Sequence, residues 1–216
     1  MTRGTLITIE GIDGAGKSTL ARALAAELAV RGLPVELLRE PGGVEVSERI
    51  RGLVKDASLA VSPRAEALLY AAARAQLVDE RVRPLLDGGS LVLLDRFVDS
   101  SLAYQGAARG LGVEEVRAIN VFATGGLEAD RTLLLRIPPA QAQARQHERA
   151  LTPDRLELEG ERFFAAISAA YEDLARADPD RIRAIDAAGP PERVLAEALA
   201  AIEDVIAASG REELRA

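Results

Sequence analysis

The chain has no cysteine and no tryptophan, a single histidine, and only three tyrosines and four phenylalanines. Without cysteine there is no disulfide, no thiol nucleophile and no cysteine-based metal site. The one histidine, His147, sits in a charged stretch and reads as a surface residue without a role. Lysine is nearly absent as well: Lys17 and Lys55 are the only two among 27 basic residues. No apolar run is long enough to cross a bilayer. The net charge of -7 argues against a general nucleic-acid or membrane surface. Met1–Gly4 lead straight into an apolar run, with no signal peptide in view, and a cytoplasmic location is expected. What remains is 216 residues, 48% hydrophobic and 28% charged, enough for one α/β domain with a sizeable core.

The scarce lysine marks the most informative stretch. Gly11-Ile12-Asp13-Gly14-Ala15-Gly16-Lys17-Ser18-Thr19 follows the apolar run Leu6–Ile9 and precedes a helical pattern, Leu20, Leu24, Leu28. Strand, glycine-rich loop and helix in that order are the context of a phosphate-binding loop. The glycines let successive N–H groups aim at an anion, and the helix adds its positive dipole end. Lys17 would reach the β- and γ-phosphates and Ser18 would hold Mg²⁺. A chain that uses arginine nearly everywhere keeps here the compact, rotatable charge that suits a phosphate cradle. The expected ligand is a nucleoside triphosphate.

Strand and helix patterns alternate along the rest. Pro34–Leu38, Leu91–Leu94, Arg131–Ile137 and Arg181–Asp186 read as further strands. Helices are expected over about 46–55, from Ser62-Pro63 to Asp87, over 113–122, after Pro138-Pro139, around Phe163–Leu174 and from Pro191. Ser62 is a candidate cap. Residues 97–112 read as a mixed polar and glycine stretch holding one short helix. The implied architecture is a five-stranded parallel sheet with helices on both faces, without a linker or second domain.

Two groups carry further chemistry. Asp95-Arg96 ends the most apolar strand, where a phosphate-binding loop fold places a metal-side carboxylate; a local ion pair at a strand end is the alternative. Arginines gather in the expected loops: Arg39, Arg74, Arg96, Arg145, Arg149 and Arg155. Forked guanidinium groups suit a cleft where two nucleotides bring their phosphates together. Asp13, inside the loop, either accepts a sugar hydroxyl or stands solvated. A guanine-reading Asn-Lys-x-Asp segment is absent, which disfavours a nucleotide switch.

Taken together, Glu10–Thr19, Arg39-Glu40-Pro41-Gly42-Gly43, Asp95-Arg96-Phe97, Ser100-Ser101-Leu102-Ala103-Tyr104-Gln105-Gly106 and Asp154-Arg155-Leu156-Glu157 resemble bacterial thymidylate kinases, in the family's order and over nearly the whole chain. The resemblance implies one P-loop kinase domain over 1–216, with a lid at about 145–157. It implies transfer of the γ-phosphate of ATP to dTMP with Mg²⁺, in a cytoplasmic homodimer that binds neither nucleic acid nor membrane. Lys17, Ser18 and Asp95 would serve ATP and Mg²⁺. Asp13 would bind the 3′-hydroxyl of dTMP, Arg96 its phosphate with Arg39 close by, and Tyr70 would stack on thymine. Arg74 would reach a thymine carbonyl, Ser101 and Gln105 would line the base pocket, and Tyr104 would crowd the 2′ position. Gly14 stands where one type of the family carries arginine. The resemblance is therefore to the type whose catalytic basic residues come from the lid: Arg149 first, then Arg145 and Arg155. A kinase for another nucleoside monophosphate or a deoxynucleoside is the alternative.

Overall fold

The computed structural model describes residues 3–148, 155, 156 and 158–208. In chain order the elements are β1 (Thr5–Glu10), α1 (Lys17–Val30), β2 (Val35–Arg39), α2 (Glu45–Lys55), α3 (Pro63–Leu77), α4 (Arg83–Asp87), β3 (Leu91–Asp95), α5 (Val98–Ser101), α6 (Val113–Thr124), β4 (Arg131–Arg136), α7 (Pro139–Glu148), α8 (Glu161–Ala177), β5 (Ile182–Asp186) and α9 (Pro191–Ala208). The strands form one sheet in the order β2-β3-β1-β4-β5, and every ladder is parallel. This is the five-stranded P-loop architecture that the alternation of strands and helices implies.

The pattern of apolar residues explains the layers. All six residues of β1 are buried, as a central parallel strand requires. On one face Ile7, Ile9, Leu91 and Leu93 share a core with Leu20, Leu24 and Leu28 of α1 and Ala198 and Ile202 of α9. On the other, Leu6, Val92 and Leu94 pack with Leu77, Val78, Val82 and Leu86. Truncating any of these leucines to alanine would cost about 2–5 kcal/mol.

Three local readings differ from the expectation. The segment Pro63–Asp87 is interrupted: a π-helical turn, Val78–Val82, joins α3 to α4. Ser62 stands at the N-cap of α3, but its hydroxyl makes no capping bond. Beyond Phe97 the expected short helix is α5, but it continues as a π-helical run, Leu102–Ala108, which was not expected. Sequence periodicity misses it because the run is buried and its polar residues turn inward: Ser100, Ser101, Tyr104 and Gln105 are all buried. The wider π turn, a frequent companion of functional sites, puts these four residues in one wall.

β1 is hydrogen-bonded to β3 on one side and β4 on the other. The chain leaves β1 to build one half of the sheet and later crosses to the other. The carboxyl ends flanking that crossover are where such sheets bind ligands.

Candidate active site

A cavity of about 810 Å³ opens at that edge, lined by residues that follow β1, β2, β3 and β4. Its floor is the glycine-rich loop. Gly16, the N-cap of α1, has φ 98°, a conformation glycine adopts freely. At Gly14 a side chain is excluded twice over: φ is 84°, and a Cβ would lie 2.2 Å from the carbonyl oxygen of Ala142. An arginine in the loop at this position would collide with α7.

Lys17 opens α1 and is buried. Its Nζ donates to the carbonyls of Gly11 (3.0 Å) and Ile12 (2.9 Å) and lies 3.7 Å from Asp13 Oδ1. Burial, with repulsion from Arg96, lowers the ammonium to about 8, against the pull of Asp13, Asp95 and Glu10. The sign follows. In the free protein Lys17 loses its charge as pH rises through about 8. A fall of kcat/KM for ATP across that range is expected, with kcat falling only at higher pH once phosphates hold the proton. A profile flat well beyond it would contradict this.

Next to the loop, the Ser18 hydroxyl donates to Asp95 Oδ2 at 2.6 Å. Arg96 follows at φ 71°, the one non-glycine residue with positive φ among those described. Its Nη2 donates to Asp13 Oδ1 (2.5 Å) and to the Tyr104 hydroxyl (3.1 Å), and its Nη1 to Ser100 Oγ (3.0 Å) and Gly11 O (3.2 Å). The Tyr104 hydroxyl in turn donates to Asp13 Oδ2 at 3.0 Å. Burial alone would raise the Asp13 carboxyl, but Arg96, Lys17 and the Tyr104 hydroxyl outweigh it and hold Asp13 well below the usual carboxylate range. Asp13 is therefore an ionised acceptor wedged between two cations.

The left-handed backbone at Arg96 is held from behind by Glu10, a fully buried carboxylate at the end of β1. Glu10 accepts from the backbone N–H of Phe97 (2.7 Å), the Ser100 hydroxyl (2.5 Å) and the Tyr171 hydroxyl (2.8 Å). Burial foremost, then Asp99, raises the Glu10 carboxyl against Arg96 and these hydrogen bonds.

Tyr70, Ser101, Tyr104 and Gln105 line another part of the cavity, with Arg39, Arg51 and Lys55. Arg39 donates to Glu48 Oε1 at 2.6 Å. Arg74 does not line it. It is only 1% exposed and lies beneath the wall. There it donates to Glu40 Oε2 (2.7 Å), Ser101 Oγ (2.9 Å), Phe97 O (2.9 Å) and Asn120 Oδ1. Burial pushes Glu40 up to about 7 despite Arg74, and its Oε1 has no hydrogen-bond partner.

Arg145 and Arg155, two of the three lid arginines, are not gathered on the phosphate loop. Arg145 donates to Ala187 O at 3.1 Å, and Arg155 donates to Val54 O at 3.1 Å and pairs with Glu66 at 2.6 Å. Neither lines the cavity. Arg149 lies outside the described residues. Arg136, which the sequence leaves without a role, makes a two-pronged ion pair with Glu172.

The sequence assigns no role to Glu10, Glu40 and Ser100, though they stand in its motifs, nor to Glu66 and Tyr171. Glu10 carried a usable signal, an acidic residue ending an apolar strand just before the loop. Glu66 and Tyr171 carried none, because each meets the site only through tertiary packing. Among the described residues no helix is long and apolar enough to cross a membrane.

The thymidylate kinase family model matches residues 9–198. Similar curated proteins include the thymidylate kinase of Rhizorhabdus wittichii, 45% identical over 205 residues that cover 94% of this chain and 99% of that one. That of Halalkalibacterium halodurans is 43% identical over 94% of this chain and 98% of its own length, and that of Deinococcus radiodurans 44% over the same shares. With the match running from the end of β1 into α9, and the phosphate loop, the Asp95-Arg96 turn and the Ser101–Gln105 wall gathered on one cavity, this chain belongs to the thymidylate kinase family.

Proposed function

We infer that the protein transfers the γ-phosphate of ATP to dTMP, giving dTDP and ADP, in dTTP synthesis. The observation that carries the site assignment is the contact of Asp13, Lys17, Arg96 and Tyr104 within one cavity, since transfer between two nucleotides needs both phosphate chains neutralised side by side. Lys17 and the loop N–H groups hold the ATP phosphates. Arg96, with Arg39 nearby, holds the phosphate of dTMP. Asp13 accepts the 3′-hydroxyl, and Tyr104 crowds the 2′ position. Tyr70 stacks on thymine, with Ser101 and Gln105 at its edge. Arg74 acts on the base from beneath this wall.

The Ser18 hydroxyl and Asp95 carboxylate are hard oxygen donors of the kind Mg²⁺ takes alongside phosphate oxygens and water, so the residues present fit that ion. Bound there, Mg²⁺ would neutralise charge on the transferring phosphate. The excluded side chain at Gly14 supports a catalytic arginine from the lid, about 145–157, with Arg149 first and Arg145 and Arg155 behind it. A homodimer in the cytoplasm completes the reading. Phe122 (91% exposed), Val121 and Leu68 on α6 and α3 support the dimer, and a monomer in sedimentation would remove it.

ADP release coupled to dTMP, dUMP, UMP, dCMP, AMP and GMP tests the acceptor; turnover led by another monophosphate would discard the thymine assignment. Arg149→Ala is expected to lower kcat far more than it raises KM for dTMP, as for a group acting in the transition state; a pure KM effect would move the role elsewhere. Tyr104→Ala is expected to reduce the preference for dTMP over its ribonucleotide by roughly tenfold or more, and an unaltered ratio would end that role.

A further inference from the structure

Glu66 is fully buried in the first turn of α3, yet it meets three polar side chains. Its Oε1 accepts from Gln105 Nε2 at 2.9 Å and from Arg109 Nε at 3.3 Å. Its Oε2 accepts from Arg109 Nη2 at 3.2 Å and lies 2.6 Å from Arg155 Nη2. A carboxylate between two guanidinium groups accepts hydrogen bonds and does not donate them. Chemistry therefore fixes which end of the Gln105 amide faces Glu66: it must be the NH₂. The carbonyl, Oε1, is left to the cavity that Gln105 lines, and it accepts no hydrogen bond among the described residues.

One helical turn earlier, Ser101 is constrained in the opposite sense. Its Oγ accepts from Arg74 Nη1 at 2.9 Å, and a guanidinium cannot accept in return. The Ser101 hydroxyl hydrogen is left for an acceptor elsewhere. Ser101 and Gln105 thus offer the cavity a hydroxyl able to donate beside an acceptor, and the polarity of the amide is set by the buried Glu66 behind it.

We propose that Glu66 is a specificity-determining positioning residue: by fixing the Gln105 amide it makes this wall complementary to the N3–H and adjacent carbonyl of a pyrimidine-2,4-dione and mismatched to a 4-aminopyrimidine. This rests on the reading that Ser101 and Gln105 face the base. A 4-aminopyrimidine presents a lone pair at N3 in place of N–H, so the Gln105 carbonyl meets an acceptor. Leaving buried polar groups unpaired in this way discriminates far more strongly than a missing methyl group.

The test compares kcat/KM for dTMP and 5-methyl-dCMP, which share sugar, phosphate and methyl group and differ only at this edge. The wild-type ratio is expected to be about a thousandfold or more. Glu66→Gln keeps the size but can donate as well as accept, so Gln105 can turn over, and the ratio is expected to fall at least about tenfold. Glu66→Asp is shorter but still only accepts; it should lose stability and keep the wild-type ratio. A purely structural role predicts the reverse order, and an unchanged ratio in E66Q overturns the proposal. Gln105→Met separates the two layers. If Q105M raises KM for dTMP while E66Q keeps the ratio, only the role of Glu66 falls. If Q105M leaves dTMP binding unchanged, the base-site reading falls with it. Should E66Q not fold, exchange of the Gln105 side-chain amide protons in the wild-type protein decides. Protection present before dTMP is added supports the proposal; protection that appears only with dTMP overturns it.

Discussion

Replacing Lys17 by alanine is expected to lower kcat/KM roughly a thousandfold while leaving the fold intact, a loss of about 4 kcal/mol in the transition state. Lys17 sits at the first position of α1, over the loop that follows β1, and its Nζ bonds to the Gly11 and Ile12 carbonyls and pairs with Asp13. Those carbonyls and Asp13 belong to the loop, so removing the ammonium deletes a charge at the cavity floor without opening the core. Two cations, Lys17 and Arg96, hold Asp13 ionised. With Lys17 gone Arg96 remains against Asp13, and the pocket for dTMP should survive. The check is twofold: an unfolding midpoint close to wild type, and dTMP affinity changed far less than turnover. Unchanged turnover would remove the phosphate-loop assignment.

Arg96→Ala is expected to act on the other substrate, cutting kcat/KM for dTMP by about 10²–10³-fold, the range for truncating one member of a hydrogen-bonded charge pair, here half-buried, that the substrate covers. Asp13 and Tyr104 both lose their shared partner. Arg96→Lys should recover little, because a single ammonium cannot span Asp13, Tyr104, Ser100 and Gly11 as the fork does. Stability gives an independent sign. At φ 71° an alanine keeps the left-handed strain and a glycine relieves it, so Arg96→Gly should be the more stable of the two truncations, by about 1 kcal/mol. Equal kcat/KM for dTMP in R96A and wild type would take the acceptor phosphate away from Arg96.

The parts of the site legible in the sequence are those carried by contiguous chain. Gly11–Thr19 announces its loop by strand, glycines and helix. Asp95-Arg96 announces itself by ending an apolar run. The Ser100–Gln105 stretch was recognisable as a motif within a segment holding a short helix, but its π-helical continuation was not, because its polar residues face inward onto Glu10, Arg74 and Glu66 and defeat the amphipathic pattern. Arg74 shows the limit most clearly. Its position in α3 was readable, yet its placement beneath the wall depends on Glu40, Asn120 and Phe97 from three other parts of the chain. The buried carboxylates Glu10 and Glu66 lie in an ordinary strand and helix, Glu40 in the bend just after β2, and only the packing of distant elements gives them partners.

The most direct measurement follows the phosphate itself. ATP labelled in its γ-phosphate is incubated with dTMP, Mg²⁺ and the purified protein, and the products are separated. Label is expected in dTDP, in amounts equal to the ADP formed, and roughly a thousandfold more slowly with K17A. Label confined to inorganic phosphate, or carried preferentially by another monophosphate offered in the same mixture, would contradict this expectation.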